Sequence, residues 1–92
     1  MILKIRVFVV SEASGDKEIL GVYSTIEDAR MRVCKHANNV WGGGESLEIK
    51  DGESPTNTWV NVWEVYNPGD YNQDHLGRKS YTPYYYIREC AL

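Results

Sequence analysis

The sequence predicts an α+β fold, β-β-α-β-β with a further strand at the end, in which one helix packs on a four- or five-stranded, mainly antiparallel sheet. Three observations carry this reading. Residues 2–10 alternate as a half-buried strand does, with Leu3, Ile5, Val7 and Val9 on one face and Lys4, Arg6, Phe8 and Val10 on the other. Gly21 to Arg30 reads as a strand end, a polar corner and the start of the one convincing helix. Residues 57–66 and 81–90 return to β-branched and aromatic residues at strand spacing.

The elements follow in order. The first strand is expected to turn its all-aliphatic odd face to the helix. Ser11 to Lys17 is a polar turn with a glycine, suited to a hairpin. Residues 18–23 form the second strand, apolar on both sides and so placed centrally, with Gly21 leaving room for close packing or a bulge. Ser24 or Thr25 caps the helix. Ser24 with Glu27 fits a capping box, and Glu27 and Asp28 suit the positive helix start. The helix is expected to run to about residue 38, with Ile26, Ala29, Val33, Ala37 and Val40 as its apolar stripe. Asn38, Asn39 and the run Gly42-Gly43-Gly44 end it, and Trp41 is expected to fold back over it as a lid. Ser46 to Lys50 is a short third strand with Leu47 and Ile49 inward, and Asp51 to Pro55 a turn. In the strand at 57–66, Trp59, Asn61, Trp63 and Val65 share one face and Val60, Val62, Glu64 and Tyr66 the other. Asn67 to Ser80 has loop composition, and so long a loop in so small a domain points to function. The last strand contains Pro83, which lacks an amide hydrogen, and is placed at an edge or after that proline.

Ninety-two residues make one domain with a thin core. Such folds often gain burial by pairing, so a homo-oligomer, with a dimer favoured, is expected. The net charge is −3 with no basic run, which argues against polynucleotide binding. Two cysteines, Cys34 and Cys90, are too few for a disulfide framework, and the chain has neither a membrane-length apolar run nor the order of a signal peptide. These point to a cytoplasmic protein with reduced thiols, and to the host cytoplasm if the gene is a phage's.

The run Val7-Phe8-Val9-Val10, the segment Gly21-Val22-Tyr23-Ser24-Thr25, then Glu27-Asp28-Ala29, and Trp59-Val60-Asn61-Val62-Trp63 resemble a group of small uncharacterised phage and bacterial proteins. In these a strand of the type VYVV leads to GVYST-xEEA, a helix and later strands. The shared motif covers about two-thirds of the chain; it is structural and carries no catalytic or ligand residues. It implies a small phage-type protein, and such proteins often act against a host system by binding.

The residues that carry chemistry are mainly aromatic. Trp59, Trp63, Tyr66, Tyr71, Tyr81, Tyr84, Tyr85 and Tyr86 crowd the last third. Cross-strand packing accounts for most such rings. The functional alternative is an interface on the sheet face that the helix leaves open, since Tyr and Trp dominate binding hot spots. Trp59, Trp63, Tyr71, Tyr84 and Tyr86 are the expected partner-binding residues. Arg78 and Lys79 beside Tyr81 suggest a second use, with the cations on a phosphate and tyrosine rings stacked on a base. The triple glycine matches neither a P-loop nor a dinucleotide fingerprint. Cys34 and His36 diverge on the helix and cannot share a metal. His75 with Asp70 and Asp74 has the groups for acid/base or metal work but no frame around it. No metal site, no cofactor and no catalysis are therefore expected. The preferred reading is a small non-catalytic protein that inhibits a host defence or regulatory component by contact. The alternatives are a sponge for a small, cyclic nucleotide signal and a homodimeric scaffold.

Overall fold

The computed structural model describes residues 5–13, 18–52 and 59–91. It contains β1 (Arg6–Glu12), β2 (Ile19–Tyr23), α1 (Ile26–Val40), a 3₁₀ turn (Gly44–Ser46), β3 (Glu48–Asp51), β4 (Asn61–Gln73) and β5 (Lys79–Ala91). The strands form one antiparallel sheet in the order β2-β1-β5-β4-β3, and α1 packs on one face of it, against β2, β1 and β5. This is the α+β class that alternation and capping predict. No helix among the described residues is long and apolar enough to cross a membrane.

Register decides which residues face the helix. One cross-strand row runs Gly21, Val10, Ile87, Trp63, Asp51, and the next runs Glu12, Tyr85, Val65, Ile49. Val10, Tyr85, Ile87 and Val65 from these rows close against Ala29, Val33 and Ala37 of α1 to form the core, and Phe8, Leu20, Tyr23, Leu47 and Trp63 pack around it. The even face of β1 therefore meets the helix, not the odd one. Both faces of that strand are apolar, so alternation alone cannot orient it; its partner rows do. Leu3 and the Ser14–Lys17 part of the first turn lie outside the described residues, as does Glu53–Thr58.

Strand order corrects two further expectations. β2 is an edge, with Ile19 and Val22 exposed, and β5 is the middle strand. Pro83 is tolerated there because it sits at an irregularity. Tyr66 is opposite Pro83 and Val65 opposite Tyr85, so Tyr84 is skipped in the register. On the other side, the β1 register runs to Glu12 opposite Tyr85, and the Ala13 amide donates to the Tyr84 carbonyl at 3.0 Å. The missing amide hydrogen thus falls beside a break in the β4–β5 register.

The stretch 67–80 is not a loop. β4 and β5 continue past the body of the sheet as a hairpin arm, with Tyr71, Asn72 and Gln73 opposite Tyr81, Ser80 and Lys79. Asn67–Asp70 is an outward excursion of β4, closed by Asn67 Oδ1 accepting from the Gly69 amide at 2.9 Å. At the tip, Asp74 accepts from the Leu76 and Arg78 amides, both at 2.9 Å, and Gly77 takes φ +82°. The arm gives the molecule its elongated shape, 54 × 31 × 23 Å.

α1 starts one residue later than the expected box. Thr25 is the cap, its Oγ1 accepting from the Asp28 amide at 3.1 Å. It ends at Val40, where the amides of Trp41 and Gly42 both reach the Ala37 carbonyl and Gly42 turns the chain at φ +79°. A side chain at Gly44 would meet the Cys34 carbonyl oxygen at 2.3 Å, so this glycine seats the 3₁₀ turn on the helix. Trp41 does not cover the helix. It crosses to the sheet, edge-on to Tyr84 at 4.6 Å and tilted to Tyr85 at 5.7 Å.

Candidate functional site: the uncovered sheet face

The face away from α1 is built by two rows. One runs Lys50, Glu64, Tyr86, Ser11, Ile19 and the other Val62, Arg88, Val9, Val22. Arg88 is thus a central-strand arginine between two valines. Its guanidinium stands 4.5 Å from the Tyr86 ring centre and 5.7 Å from that of Trp59, and Nη1 donates to Ser11 Oγ at 3.0 Å. Val9, Ser11, Ala13, Ile19, Trp59, Tyr86 and Arg88 surround a cavity of about 330 Å³. The opposing, helix-side residue Glu12 also borders it, but the Glu12 carboxylate approaches His36 Nε2 at 3.6 Å.

Beyond this body the same face continues along the arm. The skipped residue Tyr84 reverses the alternation of β5, which brings Tyr81 to the Tyr66 side while Tyr84 and Tyr85 both reach Trp41. Tyr81 lies 4.8 Å from Tyr66 and 6.2 Å from Tyr71. Lys50 stands over Tyr66 and Tyr81 at 5.2 and 5.6 Å, and Lys79 over Tyr71 at 4.3 Å. Tyr66 donates to Glu48 at 3.1 Å, and that bond raises its pKa above the ordinary phenol value. The result is a ladder of rings with ammonium groups on them, fixed on exposed strands.

The expected binding residues divide between the two sides. Trp59 and Tyr86 meet at Arg88, and Tyr71, Tyr81 and Lys79 meet on the arm. Trp63 does not share a face with Trp59: β4 begins at Asn61, and Trp63 packs on Phe8 at 6.0 Å on the helix side. Tyr84 also points to the helix side, where it donates a short hydrogen bond to Asp70 that raises its pKa. Arg78 is turned back on its own tip, Nε donating to Asp74 Oδ2 at 2.7 Å. The backbone amide of Arg78, followed by its side chain and other tip amides, holds the Asp74 carboxyl below its usual range. His75 stands in the same exposed tip. Among the described residues no three His, Cys, Asp or Glu side chains come together as a metal would need.

Arg88, Ser11 and Lys50 were not singled out by sequence reasoning. Tyr86 and Arg88 are two apart in a strand, so their common face was there to read. The arrival of Trp59 over them depends on the chain path before β4 and has no local signal. No family model, curated protein or solved structure matches the chain.

Proposed function

We propose that this chain is a non-catalytic binding protein that engages a protein partner through the ring ladder of its arm and the adjoining uncovered face. The observation that carries the reading is the arm itself. A two-stranded hairpin is marginal in water, yet this one projects Tyr71 41% exposed and Leu76 66% exposed beyond the body of the sheet. Rings held on strands lose little side-chain entropy on contact, which suits them to a protein interface. Because the motif around Gly21–Ala29 resembles small phage proteins, the proposed partner is a host defence or regulatory component, inhibited by contact in the host cytoplasm.

The test is capture from host lysate by the wild-type chain and by a Tyr71→Ala/Tyr81→Ala variant. One captured protein should be retained by the wild type and lost, by about tenfold or more, in the variant, with the circular dichroism of the two chains superimposable. If sedimentation reveals only self-association and that contact uses the arm, the homodimeric scaffold replaces this reading.

A further inference from the structure

We infer that Arg88 anchors a binding site for a small aromatic anion, a flat ring bearing a phosphate or carboxylate group. The site is the cavity of about 330 Å³ on the uncovered face, within the usual range for ligand pockets. Its walls are apolar or aromatic apart from Ser11, which is 5% exposed, Glu12 and the guanidinium.

The charge balance selects the ligand. The chain is acidic overall, and two of its other arginines are spent on carboxylates: Arg6 on Glu89 at 2.8 Å and Arg78 on Asp74 at 2.7 Å. Among the described residues no carboxylate pairs with Arg88. Glu12, the acidic residue at the cavity border, directs its carboxylate to His36 instead. A guanidinium carries five N–H donors in a rigid fork, and the bond to Ser11 uses one of the two on Nη1. The Tyr86 and Trp59 rings lie beside it, 4.5 and 5.7 Å from centre to guanidinium, at cation–π distance. The fork is therefore pre-set for an oxyanion, which it grips through two parallel bonds as a lysine cannot. Val9, Ala13 and Ile19 add apolar wall beside the aromatic rings, so the body attached to the anion should be a ring rather than a polar chain.

This site does not depend on the arm, since neither Tyr71 nor Tyr81 borders it. The experiment is titration with phenyl phosphate, benzoate, adenosine 5′-monophosphate, adenosine and inorganic phosphate, followed by calorimetry and by the Arg88 Nε–H resonance. At least one ring-bearing anion should move that resonance and bind in the micromolar to millimolar range, and the better of phenyl phosphate and benzoate identifies the oxyanion. Adenosine should bind at least about tenfold more weakly than its monophosphate if the fork reads the anion. Arg88→Lys keeps the charge and should still lose about tenfold, while Tyr71→Ala should bind as the wild type does. If Arg88→Lys does not fold, Ser11→Ala serves in its place and should weaken binding several-fold. The proposal is overturned if no anion acts up to roughly 5 mM, if adenosine equals its monophosphate, or if folded Arg88→Lys binds unchanged.

Discussion

Tyr85 shows how one residue can join helix and sheet. It is 1% exposed, and its hydroxyl is 2.8 Å from His36 Nδ1, on a ring whose Nε2 faces Glu12. A proton on Nε2 satisfies both contacts: it points at the carboxylate and leaves Nδ1 to accept from the phenol. Burial, followed by the Glu12 charge, pushes the Tyr85 phenol up from 10.0 to about 12. The folded value lies above the unfolded one, so this contribution is complete below pH 10 and is lost as pH rises through about 12. Urea midpoints measured between pH 9 and 12 should fall steeply in the wild type. Tyr85→Phe should cost about 1 kcal/mol at neutral pH, through the lost bond, and flatten the alkaline fall. An unchanged alkaline slope in the variant would remove Tyr85 as its source. Little of this was legible in the sequence. Tyr84, Tyr85 and Tyr86 are chemically alike, and only the skipped position at Tyr84 sends the first two to Trp41 and the third to Arg88.

At the scale of elements, the strands of the body and the helix were legible because their signals are local. β-branched alternation, a hydroxyl before an acidic turn and a glycine after the last turn act within a few residues of each other. The sequence leaves the cap open between two neighbours because Ser24 and Thr25 both offer a hydroxyl, and Glu27 and Asp28 both offer a carboxylate three residues on. The structure selects Thr25, at φ −132° and ψ 154°, with its bond to the Asp28 amide. Thr25→Ala should therefore cost about 1 kcal/mol in chemical denaturation, against a few tenths for Ser24→Ala. Equal losses would argue that the two hydroxyls share the role. The arm was missed for a different reason. Pro68, Gly69, Asn67 and Asp70 are turn residues, and the sequence uses them for an excursion within β4 rather than for an end to it. Tyr71 opposite Tyr81 restores the ladder on the far side, and nothing local announces such a long-range pairing.

The whole molecule is a sheet covered by one helix that is too short to span it. α1 lies over β2, β1 and β5, and the core is drawn from that side, with none of its buried residues in the arm. The proposed binding surface and the core are thereby separated in space: the rings of Tyr71 and Tyr81 are not part of the core that Val10, Tyr85 and Ile87 make with the helix. This separation makes a prediction about the entire chain. Tyr66 and Pro83 face each other across β4 and β5, so residues 67–82 can be replaced by Asn-Gly, whose backbone preference matches a two-residue hairpin turn. The shortened chain loses the bond from Tyr84 to Asp70 but keeps Trp41 on Tyr85 and every residue of the core cluster. Its near-ultraviolet circular dichroism should retain the signal of packed Trp63 and Trp41, and its urea midpoint should fall by no more than the equivalent of about 1–2 kcal/mol. Partner capture through the arm should disappear, while the Arg88 cavity keeps its response to the anion probes. A shortened chain that fails to fold would place the arm among the elements that hold the sheet together, and the division between a core side and a binding side would not stand.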